Sequence, residues 1–180
     1  MSLATLKAKV EQLLNYAKTY KEIRTMQRAY YGVNEPKTIW LLDTSKITDF
    51  SYCFMNSKVK DIYGLNTSSG EQFSFMFIYN DELESIHSVL DFSKAKNATK
   101  PFNGCRSLKN IRFKPNSIFL NAMFADSDKL TDESTQSIID GLADLTGRAS
   151  QTLSLHKDVG AMLTDEQKAA ITAKNWNLVY

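Results

Sequence analysis

Asp43-Thr44-Ser45-Lys46-Ile47-Thr48-Asp49-Phe50-Ser51-Tyr52-Cys53-Phe54 is the stretch from which the fold can be read. Its opening tripeptide returns as Asn66-Thr67-Ser68, 23 positions on, and again as Asp91-Phe92-Ser93 after a further 25. Aligned on those first residues, other columns fall into line: Phe50, Phe73 and Ala98; Phe54, Phe77 and Phe102; Ser57, Asn80 and Cys105. Val59, Leu83 and Leu108 follow, and three positions after each stand Ile62, Ile86 and Ile111. A fourth copy keeps Phe124 and Leu130 but has lost the tripeptide. Self-similarity at this period is the signature of a repeat architecture, in which one unit cannot bury its apolar face alone and stacked units can.

Each column has a physical reason. The Leu-x-x-Ile step within alternating residues suits a short strand with one buried face. The Asp or Asn after it can bond its own backbone and turn the chain. Two phenylalanines four apart fit one inward-facing helical turn. The expectation is an α/β solenoid with a short, leucine-rich-repeat-like parallel sheet over residues 36–131, with Ile39, Ile62, Ile86 and Ile111 side by side.

The flanks read differently. Leu3, Leu6, Val10, Leu13, Ala17 and Tyr20 alternate three and four apart, with Leu14, Ile23 and Met26 widening the stripe, which predicts an N-terminal helix over 3–28. Gly32, Asn34 and Pro36 mark its boundary, so residues 1–35 form a first unit. This stripe is equally suited to a coiled coil and to a cap on the first repeat. Residues 132–180 predict an αβαβ cap. Ile138, Ile139, Leu142 and Leu145 lie at helical spacing over 132–145, Thr152–Leu155 alternates as a strand, Thr164 opens a capping box with Gln167, and Trp176–Tyr180 is a final strand. Such a cap would close a sheet edge that is otherwise open to aggregation.

The pattern Asp-Thr-Ser-Lys-x-Thr-x-Phe-x-x-x-Phe followed by Leu-x-x-Ile resembles the BspA-like leucine-rich repeats of bacterial surface proteins. The ending is similar to the closing cap of leucine-rich-repeat proteins from tail modules of phages and prophages of Gram-positive bacteria. It runs through Leu130-Thr131-Asp132-Glu133-Ser134, Ile138-Ile139-Asp140-Gly141-Leu142, Gln151-Thr152-Leu153-Ser154-Leu155, Leu163-Thr164-Asp165-Glu166-Gln167 and Asn175-Trp176-Asn177-Leu178. The resemblance covers roughly residues 36–180 and implies a scaffold rather than one activity. It implies a phage tail protein, assembled in the cytoplasm and carried on the virion, with a homo-trimer through the N-terminal helix by analogy with tail fibres. The alternatives are a host-encoded surface or adhesion protein at the bacterial cell surface, and a purely structural oligomeric spacer.

Composition narrows the chemistry. The chain has 180 residues, 43% apolar and 23% charged, as ordinary globular domains are. No apolar run approaches the ~18 residues of a membrane span, and the charged start lacks the apolar stretch of a signal peptide, so no membrane is expected. A net charge of +2 does not single out nucleic acid as a partner, and the expectation is against it. Phosphate-loop and dinucleotide motifs are absent. The register separates His87 from Cys53 and Cys105, so no Cys–His pair, no enzyme activity and no cofactor or metal are expected. Between Asp91 and Asp126 lie Lys94, Lys96, Lys100, Arg106, Lys109, Arg112 and Lys114 with no acidic residue, either a solubilising scatter or a patch for an anionic polymer.

Strand alternation names a candidate surface. The residue after each strand isoleucine points outward, which places Trp40, Tyr63, His87 and Arg112 in one column, with Thr38, Asp61, Ser85 and Asn110 in a second and Lys114 on the same face. Aromatic rings beside small polar groups suit a sugar, and the cations suit an anion. The resemblance points that surface toward a cell-wall glycan or anionic polymer, or toward a partner tail protein.

Overall fold

A computed structural model describes residues 24–35, 37–41 and 43–180. It is mostly parallel β-structure with few helices, an α/β arrangement of two open sheets. The first sheet runs in sequence order through β1 (Lys37–Trp40), β2 (Val59–Tyr63), β3 (Ser85–Leu90) and β4 (Asn110–Phe113). The second joins β5 (Ala122–Phe124), β6 (Gln151–Leu155) and β7 (Trp176–Val179). Helices α1 (Asp132–Gly141), α2 (Lys157–Ala161) and α3 (Asp165–Ala173) lie between the later strands.

Ile39 pairs with Ile62 and Ile62 with Ile86. Ile62, Ile86 and Ile111 are buried; Ile39, on the edge strand, is only partly so. Across the core the rings of Tyr30, Phe54, Phe77, Phe102 and Phe124 stack at successive centroid distances of 5.0, 5.1, 5.4 and 5.0 Å.

The wall carrying these rings is not helical, contrary to the expectation of one helical turn. Its alternate amides donate sideways: Phe50 N to Gln72 O, Tyr52 N to Ser74 O, Phe54 N to Met76 O and Asn56 N to Ile78 O. The next segment repeats this with Phe73, Phe75, Phe77 and Tyr79. Amides used laterally cannot make i→i−4 bonds, so no α-helix forms. Intervening amides close tight turns, as Cys53 N does on Phe50 O. The turns hold Tyr52, Asn56, Phe75 and Tyr79 at positive φ.

The same wall extends N-terminally beyond the expected boundary. Met26, Arg28, Tyr30 and Gly32 donate to Asp49, Ser51, Cys53 and Met55, and Thr25 bridges Asp49. Residues 24–28 are therefore not the end of a helix, and Arg28 has φ 58°. The rest of the expected helix lies outside the described residues. The overlooked signal was Met26, Tyr30 and Gly32, each 24 positions before Phe50, Phe54 and Asn56.

Turn chemistry follows the tripeptides. Asp43, Asn66 and Asp91 each accept, through Oδ1, the amide N–H of the serine two residues on, at 2.9, 3.0 and 2.9 Å. Thr44 and Thr67 are buried, and each hydroxyl both accepts from and donates to the next segment's backbone, at Asn66 and Asp91 respectively. Phe92 replaces the threonine in the third copy and packs 4.0 Å from Phe73.

The far edge of the first sheet is closed by side chains. Ser134 and Ser137 of α1 accept the N–H groups of Ile111 and Phe113 at 3.0 and 2.9 Å, standing in for the carbonyls of a further strand. Helix α1 stops at Gly141, earlier than the spacing to Leu145 suggested, because Ile118 takes up the chain there: it accepts from Ala143 N while its own N–H meets Gly141 O. A side chain at Gly141 would also meet Phe113 Cβ at 2.8 Å. The expected capping box at Thr164 and Gln167 is present. Lys174 Nζ donates to the carbonyls of Ile139 and Leu142, and Trp176 Nε1 to that of Ala143, pinning the tail to the end of α1. Burial among these carbonyls lowers the Lys174 pKa.

Candidate binding surface

The ends of β1 and β2 and the middle of β3 bring Trp40, Tyr63 and His87 together on the outside of the first sheet. Their rings stack at 4.1 Å (Trp40–Tyr63) and 3.9 Å (Tyr63–His87), tilted by only 10° and 5°. His87 Nε2 lies 3.1 Å from Asp61 Oδ1. Trp40 is 72% exposed. In the neighbouring column Thr38 and Asn110 are exposed and Asp61 is half-buried.

Ser85 and Arg112 depart from the expectation in different ways. Ser85 keeps its expected place opposite Asp61 and Asn110 but is buried, its Oγ accepting from Asn110 Nδ2 at 3.0 Å; β3 changes register just after it. Ser85 faces Asn110, yet Val89 rather than His87 faces Arg112. Two extra residues of β3 are thus accommodated as a bulge, and Arg112 reaches the column only through the His87 carbonyl, at 3.5 Å.

Stacking also limits what the rings can offer. Tyr63 lies between Trp40 and His87, so both its faces are covered. The outer face of Trp40, the more exposed end of the stack, is open to a planar or sugar-like group, and Tyr63 presents only its edge.

The basic segment is largely paired with its neighbour. Lys96 meets Glu71 at 2.8 Å, Arg106 meets Asp81 at 3.4 Å, Lys109 meets Glu84 at 2.8 Å and Lys114 meets Asp91 at 2.7 Å. Four of the seven cations are thereby matched to acidic residues 23 to 25 positions earlier. The patch is in good part a charge complement between adjacent segments, which the linear charge count conceals.

Cys53 and Cys105 are free and buried, and burial pushes both thiols well above their ordinary range. Cys105 donates to the Phe77 carbonyl at 3.2 Å. A protonated, enclosed thiol is a packing group, not a nucleophile. A feature the sequence reading missed lies on the turn wall: half-buried Tyr52 and Phe75 stack at 5.2 Å, and the Arg28 guanidinium sits 5.3 Å from the Tyr52 ring. The signal was Arg28, Tyr52, Phe75 and Lys100, one per segment, all at positive φ.

The family described as "Mycoplasma protein of unknown function, DUF285" matches residues 21–137, which run into α1, and the chain belongs to that family. No curated protein and no solved structure matches the chain.

Proposed function

We propose that the protein is a non-enzymatic binding module, a BspA-like leucine-rich-repeat solenoid that contacts a cell-surface polymer or a partner protein through the outer face of its first sheet. The observation that carries this reading is the Trp40–Tyr63–His87 column, with Trp40 72% exposed at its end. An indole held by stacking on a neighbour is a preorganised contact, with little side-chain entropy left to lose on binding. Thr38, Asp61 and Asn110 add hydrogen-bonding groups, and Arg112 adds a cation.

The setting proposed for the module is a phage or prophage tail, on the likeness of its ending to tail-module caps. A second reading, a host-encoded bacterial surface protein, is favoured by the family description, which names a bacterial genus. Tail-fibre and lysis genes beside this one would decide for the first. The surface itself is tested by Trp40→Ala and Arg112→Ala in binding to Gram-positive cells and isolated cell wall. Binding should weaken about tenfold or more, roughly 1.4 kcal/mol, with thermal stability unchanged for so exposed a ring. Undiminished binding would remove this face.

A further inference from the structure

We propose that the groove beside the β3 bulge is a binding site for an oxyanion-bearing saccharide, a sugar residue carrying a carboxylate, phosphate or sulfate. This deepens the reading above and rests on it for the glycan; it shares Arg112 with that surface and turns on Asn66, Ser88, Val89 and Lys114.

The groove has a volume of about 440 Å³ and is lined by Leu65, Asn66, Ser88, Val89, Asp91 and Lys114 among others. It lies at the carboxyl ends of β2 and β3, where the bulge displaces Ser88 and Val89. Bulges commonly re-aim side chains next to binding sites. Here the bulge leaves Val89 half-exposed, an apolar surface for the face of a sugar ring.

The hydrogen-bond inventory sets the ligand class. Each side-chain oxygen of Asn66, Ser88 and Asp91 already takes one hydrogen bond from the protein. Asn66 Oδ1 takes the Ser68 N–H, and Ser88 Oγ takes the Leu65 N–H at 3.0 Å. Asp91 Oδ1 takes the Ser93 N–H, and Oδ2 takes Lys114 Nζ at 2.7 Å. The donors that the protein leaves unused are both amide hydrogens of Asn66, the Ser88 hydroxyl hydrogen and two hydrogens of the Lys114 ammonium. Asp91 and Lys114 neutralise each other, and Arg112, the ladder neighbour of Val89 just outside the groove lining, adds a positive charge beside it. Free donors with a net cation match an oxyanion, and charge-assisted bonds of this kind are the stronger ones.

Asn66 is the telling residue. Its column otherwise holds Asp43 and Asp91, which make the same turn with a carboxylate oxygen. The turn needs only that oxygen; the amide N–H₂ is extra, and it falls in the segment that lines the groove.

Asn66→Asp therefore keeps the turn and replaces the donors with a negative charge. Calorimetric titration of the whole chain would use polygalacturonate and dextran sulfate, neutral dextran, and inorganic phosphate. At least one charged polymer should bind and dextran should not. Asn66→Asp and Lys114→Gln should each weaken binding about tenfold or more with the unfolding midpoint of Asn66→Asp unchanged. Failure of both charged polymers to bind, or equal binding by both variants, would overturn the proposal. Phosphate binding as tightly as the polymers would also overturn it, leaving a small-anion site. If Trp40→Ala loses cell binding while Asn66→Asp keeps it, the sheet face stands and the groove falls.

Discussion

Along β2 and β3 the backbone reaches its neighbour through a parallel ladder, Ile62 opposite Ile86. On the other side of the same core, Phe50, Tyr52, Phe54 and Asn56 bond sideways with no strand between them. Both walls satisfy their amides laterally, yet they make different demands on side chains. The ladder uses ordinary extended dihedrals, and its outward positions are free to carry Trp40, Tyr63 and His87. The turn wall holds Tyr52, Asn56, Phe75, Tyr79 and Lys100 at positive φ, which costs an L-residue roughly 1–2 kcal/mol each. Such strain persists only where the surroundings over-determine it, and here the inward ring stack and the sideways bonds do so.

Removing one ring should break the comparison most visibly. Phe77 is fully buried between Phe54 and Phe102, and Phe77→Ala should cost about 3–5 kcal/mol in denaturant unfolding. The loss should fall unevenly. Amide exchange at Tyr52, Phe54 and Tyr79 should accelerate more than at Ile62 and Ile86, because the strained wall depends on the stack and the ladder does not. Equal acceleration on both walls would contradict the view that the rings hold the turns in place.

A smaller effect is expected where the two walls are joined. Thr67 Oγ1 accepts from Asp91 N at 2.7 Å and donates to Asp91 O at 3.1 Å. Thr67→Val keeps the shape and leaves both backbone groups without that partner, at a cost of about 2 kcal/mol. The third copy carries Phe92 at this position without penalty because it packs on Phe73, Phe102 and Phe113 instead of bonding a further segment. A neutral Thr67→Val would mean that water replaces the hydroxyl.

The strand wall was legible in the sequence because its side chains alternate: Ile39, Ile62 and Ile86, with Trp40 and Tyr63 after the first two, come into register as spaced. The turn wall was legible only in its buried rings. Phenylalanines four apart suit a helix as well as tandem turns, and nothing local to Phe50–Phe54 reports that the amides point sideways. Gly32 and Gly104 hinted at left-handed turns, but Tyr79 and Asn56 at the equivalent places hid the pattern. The bulge in β3 was visible only as the longer 25-residue spacing of that copy, without its position. The charge pairing between segments needed the fold first, since Lys96 and Glu71 are neighbours only in the folded chain.

The smallest effect expected concerns the pair that links the ladder to the turn after β3. Burial pushes the Asp91 carboxyl up, but the hydrogen bonds from Lys114 and Ser93 and the Lys114 charge outweigh it, and the pKa lies below its ordinary value. A depressed folded pKa stabilises the protein fully above the unfolded pKa of ~3.9, and that contribution is lost as pH falls through the folded value. Asp91→Asn keeps an oxygen for the Ser93 N–H, as Asn66 does for Ser68, and removes only the charge. With Lys114 largely in solvent and the Asp91 side chain only 12% exposed, the loss at neutral pH should be about 1 kcal/mol and should shrink in high salt. In acid, with the wild-type carboxyl protonated, the two proteins should unfold at the same urea concentration. A difference that persisted unchanged at low pH would place the value of Asp91 in its hydrogen-bonded turn rather than in its charge. That would make this corner of the strand wall behave as the turn wall does, held by geometry alone.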